Sequence, residues 1–171
     1  MRSPTINWPE KYDPNRTPVY VRNELHIAAP AETVWAWLIR APAWPDWYPN
    51  SHNVRIQGEP PDRLALGTQF AWRTFGVSIR STVQEFVPHE RLAWDAFGMG
   101  VDAYHAWLIT PAEGGCQVLT EETQFGWAAR LSSRVFPNRM SRFHQIWLEQ
   151  LAVMAQTGSP LSLAGQTVGT G

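Results

Sequence analysis

"YHAWLITPAEGGCQVLTEET", residues 104–123, decides how the rest of the chain is read. Two arms rich in β-branched and aromatic residues flank Gly114-Gly115, the signature of a hairpin. The first arm carries His105 and the second carries Glu121 and Glu122. Side chains alternate between the two faces of a strand, and loop length sets which residues stand opposite each other. With "AEGG" as a four-residue loop, His105 opposes Glu122 and Trp107 opposes Thr120. The same parity runs outward through earlier turns. A two-residue loop at Phe75-Gly76 sets Trp72 against Ile79. A loop at Pro88-His89 sets Val83 against Trp94 and Glu85 against Leu92. A loop at Met99-Gly100 sets Trp94 against His105.

One face of these strands then collects Phe70, Trp72, Ile79, Val83, Leu92, Trp94, Trp107 and Ile109. Ser81, Glu85, His105, Thr120 and Glu122 are its polar members. The opposite face carries Arg73, Arg80, Arg91, Asp95, Asp102 and Glu121, and is therefore the wet one. Phe75, Phe86, Phe97, Tyr104, Leu108, Leu119 and Phe125 also fall on that outer face. They call for cover from the N-terminal arm, the strand ends or a partner. A bulge in any strand would invert the residues beyond it.

The chain has 171 residues, of which 44% are apolar and 17% charged, enough for one domain with a true core. Fourteen basic against fifteen acidic side chains leave it almost neutral. That balance, with no basic cluster standing out, argues against a nucleic-acid or polybasic membrane role. No run of apolar residues is long enough for a membrane span, and "MRSPTINWPEKYDPNR" has no signal-peptide core. The lone Cys116 cannot pair within the chain, which points to a reducing, cytoplasmic setting. Ten tryptophans are unusual. They suit either an aromatic core or a cavity for a flat, greasy ligand.

"VYVRNELHIA" alternates as a strand, and "APAETVWAWLI" has helical spacing after Pro30. "WPDWYPN" admits one short turn or helix. Six further strands follow, separated by Gly or Pro turns. "NRMSRFHQIWLEQLAVMAQ" closes the domain as a helix, with Met140, Phe143, Trp147, Leu151 and Met154 on one stripe. Pro137 either breaks one long helix or opens its second part. Residues 1–18 read as an extended N-terminal arm, 19–157 as the domain and 158–171 as a flexible tail. The short loops make the sheet antiparallel, and the final helix must cover its apolar face.

This order resembles the helix-grip fold of the START-like, Bet v 1-like (SRPBCC) superfamily, in its polyketide cyclase/dehydrase branch. "IAAPAETVWAWL", "WPDWYPN", "LGTQFAWR", "STVQEFVPHERLAW", "HAWLITPAEGGCQV" and "TEETQFG" carry the resemblance, in order, over about residues 20–156. It implies an α+β fold: a curved seven-stranded antiparallel sheet wrapped around a long C-terminal helix, with two short helices between strands 1 and 2. It also implies a deep apolar cavity. It says little about reaction, because the superfamily includes cyclases, lipid carriers, receptors and chaperone activators.

His105 and Glu122, opposed on the dry face, are the candidate catalytic pair. Opposed Cβ atoms lie about 5 Å apart, close enough for a shared hydrogen bond. Such a pair can act as a general acid/base, orient a ligand without chemistry, or simply satisfy itself. Trp72, Trp94, Trp107 and Trp147 are expected to line the pocket, with Phe143 beside them and Ser81, Glu85 and Thr120 as its polar contacts. Trp47 and Tyr48 are placed at the entrance, with a core role for Trp47 as the alternative. His144 falls one residue from the stripe residue Phe143; it either reaches the cavity or, as lone helix histidines more often do, sits at the boundary. The five histidines show no metal-ligand spacing and no phosphate loop is present, so neither a metal nor a cofactor is expected. The expected partner is a hydrophobic small molecule, with a homodimer left open. The two functional readings are a cofactor-independent cyclase or dehydratase and a non-catalytic carrier or sensor.

Overall fold

The computed structural model describes residues 5–158. Seven strands run β1 (Val19–Ile27), β2 (His52–Gln57), β3 (Gln69–Thr74), β4 (Val77–Val87), β5 (Arg91–Gly98), β6 (Val101–Ala112) and β7 (Gly115–Phe125). They form one antiparallel sheet in the order β1-β7-β6-β5-β4-β3-β2. Helix α1 (Ala31–Leu38) and a 3₁₀ helix (Ala41–Asp46) lie between β1 and β2. After β7 come α2 (Trp127–Val135) and α3 (Arg139–Thr157). Pro137 stands between them, so the segment left open in the sequence is a separate helix ended before the proline. This is the helix-grip architecture expected from the element order.

Helix α3 packs against β1 and α1 and lies over the inner face of the sheet. It buries His144, Trp147, Leu148, Leu151, Ala152 and Ala155. The core joins these residues to Val34, Trp37 and Trp44 from the first helices and to Phe70, Val83, Trp94 and Trp107 from the sheet. The buried stripe is rotated from the one centred on Phe143 and Met154, both of which are only partly buried.

The outer face is covered by the N-terminal arm. Tyr12 stacks on Tyr104 with ring centroids 5.2 Å apart, and Ile6, Trp8 and Phe125 complete this cluster. The Tyr12 hydroxyl donates to Asp102 Oδ1 at 2.7 Å, and Lys11 pairs with the other carboxylate oxygen at 2.5 Å. The expectation of a flexible tail over 158–171 lies outside the described residues, save Gly158.

The turn register holds in three of four hairpins, although the β6–β7 loop has two residues rather than the expected four, since Ala112 pairs with Gly115 and the even difference leaves the pairing unchanged. Thr74 pairs with Val77, Gly98 with Val101, and His105 with Glu122. The β4–β5 hairpin differs. Its loop has three residues, because Val87 pairs with Arg91, and the register then shifts between Val83 and Glu85. Gln84 is the extra residue of this bulge. One added loop residue and one bulged residue cancel, so Val83 still opposes Trp94. Between them the faces invert. Glu85 opposes Ala93 rather than Leu92, and Phe86 turns inward to pack edge-on against Trp35 at 5.0 Å.

Candidate functional site

Three elements converge on one wall of a cavity of about 550 Å³. Strand β6 presents His105, β7 presents Glu122 and Gln124, and α3 presents His144 and Trp147. Tyr48, Trp72, Ile79, Trp94 and Ala103 add apolar lining, and α2 forms part of the rim. Alternation along β6 and β7 aims His105 and Glu122 at the same side. The i, i+3 spacing of His144 and Trp147 puts both on the face of α3 that meets it.

Glu122 is the hub. Its Oε2 lies 3.0 Å from His144 Nε2 and 3.3 Å from His105 Nδ1. Gln124 Nε2 donates to the other carboxylate oxygen, Oε1, at 2.5 Å. An ionised carboxylate only accepts, so His144 Nε2 carries the proton it donates. His144 Nδ1 is buried with no hydrogen-bond partner. The two imidazoles face each other at 4.7 Å with an interplanar angle of 13°. His105 Nε2 is 2.7 Å from Thr120 Oγ1, so that nitrogen is engaged by the sheet.

His105 is 2% exposed and Glu122 is 8% exposed, so both have left bulk water. Burial pulls the His105 pKa down to about 3, against the pull of the Glu122 charge, and leaves the ring neutral. Burial acts to raise the Glu122 pKa. The hydrogen bond from His144 and the neighbouring imidazoles outweigh it and hold the carboxyl down at about 2. The wall therefore presents an ionised carboxylate between imidazoles inside an apolar cavity.

One donor atom each from His105, Glu122 and His144 lies within 4.8 Å of the others. Two imidazoles and a carboxylate form a donor set that suits a borderline divalent cation. No spacing motif announces it, because the residues come from two strands and a helix.

Aromatic rings pack the rest of the wall. Trp147 stacks on Tyr48 at 4.3 Å and meets Trp44 and Trp107 edge-on at 5.1 Å. Trp94 lies 4.8 Å from the His105 ring, and Trp107 stacks beside that ring at 5.4 Å. The indole N–H groups of Trp94, Trp107 and Trp147 are buried without an acceptor. Such donors are costly to leave unpaired, and they lie within the packed aromatic wall rather than on the cavity surface.

Among the expected site residues, His105, Glu122, Trp72, Trp94 and Trp147 line the cavity. Trp107 and Thr120 stand behind His105, and Ser81 accepts a hydrogen bond from Trp72 Nε1 at 3.2 Å. Trp47 is 7% exposed and belongs to the core, away from the cavity, while its neighbour Tyr48 reaches the lining. Phe143 lies outside the lining, edge-on to Phe75 at 5.4 Å. Glu85 is displaced altogether. The β4 bulge turns it to the outer face, where it accepts from Asn7 at 2.6 Å and pairs with Arg91 at 2.8 Å. His144, left between cavity and boundary by the sequence, is 1% exposed and lines the cavity. Centring the stripe on positions 144, 147, 148 and 151 would have decided it.

A sheet that grips a helix around an apolar cavity defines a ligand-binding class of fold. The family model for polyketide cyclase / dehydrase and lipid transport matches residues 18–155, and the chain belongs to that family. No curated protein matches it by sequence. A hypothetical protein from Helicobacter pylori is 30% identical, with a TM-score of 0.84, over 91% of this chain and 98% of the other. The di-domain ARO/CYC StfQ of the steffimycin biosynthetic pathway is 16% identical at a TM-score of 0.66, over 81% of this chain and 51% of that one. Truncated norcoclaurine synthase from Thalictrum flavum is 15% identical at 0.62, over 82% and 95%. These last two share the fold. No helix among the described residues is long and apolar enough to cross a membrane.

Proposed function

We propose that this protein binds an oxygenated, aromatic or polyketide-like molecule in its cavity and catalyses cyclisation with loss of water by acid-base chemistry. The observation that carries this reading is Glu122 Oε2 shared between His144 and His105 on the wall of an otherwise apolar cavity. The cavity supplies proximity by holding a flexible substrate in a folded conformer. Glu122 fixes the proton on His144 Nε2, which leaves Nδ1 as an unpartnered basic nitrogen. That imidazole takes a proton from carbon next to a substrate carbonyl, and the carbon closes on a second carbonyl. The proton passes to the alkoxide so formed, giving a hydroxyl; the imidazole then takes the second proton from the same carbon and hands it to that hydroxyl, which departs as water as the carbon–carbon double bond forms. His105, tied to Thr120 and itself neutral, positions the ionised carboxylate. The names of the two distant structural neighbours, a di-domain ARO/CYC and a synthase, fit this reading. The buried thiol of Cys116 suits a reducing cytoplasm as the working compartment.

Native mass spectrometry of the protein from its own host reveals the bound molecule, and incubation with fresh enzyme shows its fate. Recovery of a cyclised or dehydrated product, lost in Glu122→Gln and His144→Ala, supports the enzyme. A ligand returned unaltered would leave a carrier and defeat the catalytic reading.

A further inference from the structure

Helix α2 is inside out. A surface helix normally turns its large apolar stripe inward. Here the buried residue is the small Ala129, while Trp127, Leu131 and Val135, at i, i+4 and i+8, are 64%, 56% and 56% exposed. Phe136 follows at 55%. The orientation is built in. The Gly100 carbonyl, in the β5–β6 turn, accepts from the N–H groups of Ala128 and Ala129 at 3.1 and 3.4 Å. Gly126 lies against that carbonyl so closely that a Cβ there would sit 2.2 Å from its oxygen. The Trp127 ring lies against Gly100, next to Met99, which is 75% exposed. Together these side chains form an apolar patch of the kind that marks an interaction surface.

Charge names the partner. Arg130, Arg134, Arg139 and Arg142 lie on the same segment, all exposed, and none forms a salt bridge among the described residues. No Asp or Glu occurs between positions 123 and 148. The near-neutral total hides this cluster, because the compensating acids lie elsewhere. We propose that α2 docks on the surface of an anionic lipid bilayer, its apolar stripe in the headgroup region and its arginines on lipid phosphates. A symmetric contact between two copies would set the same arginines against each other, which disfavours a second chain as the occupant. Trp127, Leu131, Val135 and Phe136 also form part of the cavity rim. Arg139 spans that rim, with its guanidinium 5.3 Å from the Phe75 ring and 5.7 Å from Phe136. Docking would therefore bring the cavity mouth to the membrane, a route for an apolar ligand that bypasses water. The route rests on the ligand-binding reading above, whereas the docking does not.

Flotation of the full chain with vesicles tests the proposal. Wild type is expected to float with phosphatidylcholine vesicles that contain phosphatidylglycerol and to stay behind with phosphatidylcholine alone. Arg130→Glu/Arg134→Glu is expected to weaken the anionic binding by roughly twentyfold or more, about fivefold per lost charge. Leu131→Asp is expected to abolish it. Circular dichroism shows that both variants are folded, and quenching of tryptophan fluorescence by an apolar dye, without vesicles, shows that the arginine variant, whose positions lie outside the lining, keeps the cavity intact. The same dye reads the cavity independently of docking. No vesicle binding by wild type would overturn the proposal. So would unchanged binding by the arginine variant, a dimer broken by Leu131→Asp without vesicle binding, or capture by an acidic protein alone.

Discussion

His144 Nε2 and Glu122 Oε2 are 3.0 Å apart, and this contact is where helix α3 is chemically joined to strand β7. If the two residues act as a unit, their substitutions do not add. Glu122→Gln and His144→Ala should each lower turnover by about 100-fold or more, with the double variant little worse than either. A double-mutant cycle on kcat/KM checks this. Independent, multiplying losses would show that the two residues act separately.

Acid should destabilise the fold in two stages. His105 is held neutral with its pKa lowered to about 3, so its contribution is complete above the unfolded value of about 6.5 and is lost as pH falls toward 3. Glu122, lowered to about 2, contributes above about 4.5 and loses that contribution as pH falls further. Melting temperature measured from pH 7 to 4 should begin to drop below about 6.5 in wild type. In His105→Gln the drop should be delayed to below about 4.5. Superimposable profiles would remove His105 from this account.

Much of the site was legible because turns of fixed length transmit parity from strand to strand. His105 met Glu122, and Trp94 met His105, as alternation required. Glu85 was misplaced because a bulge leaves no mark in a pattern such as "STVQEFV", where either register gives an acceptable mixture of faces. His144 stays undecided between cavity and boundary in the sequence because Phe143 and Met154 are greasier, and a helical stripe drawn through the greasiest residues passes one position away. Tyr48 reaches the cavity as expected while Trp47 takes its alternative place in the core, a choice the sequence leaves open because no period aims a side chain in the irregular turn after the 3₁₀ helix.

Trp147 touches Tyr48, Trp44, Trp72, Trp94, Trp107 and the His105 ring. Trp147→Ala should cost about 3–5 kcal/mol in denaturant unfolding and enlarge the cavity. The variant should bind a bulkier apolar dye than wild type accepts. Equal dye selectivity would mean that neighbouring rings collapse into the space.

The arm should behave as a removable cover. Tyr12→Ala deletes both the stack on Tyr104 and the hydrogen bond to Asp102, at a cost of about 2–3 kcal/mol. Burial and the Asp102 bond push the Tyr12 pKa up to about 12, so the neutral phenol stabilises docking fully below about pH 10 and decreasingly above it. Protease cleavage near Trp8 should accelerate in the variant, and in wild type only at strongly alkaline pH. Ligand binding should be unaffected, because the cavity lies on the other side of the sheet.

The bulge at Gln84 gives the β4–β5 hairpin one residue of slack. Deleting Gln84 would restore unbroken alternation while leaving Val83 against Trp94, Glu85 outside and Phe86 inside. A lost codon there would be absorbed before it reached the His105 wall. What would change is curvature, since the extra residue bends and twists the strand around α3. This corner can therefore set how wide the sheet opens without rewriting its chemistry. Relatives that differ by one residue here would be expected to hold ligands of different girth over the same polar cluster.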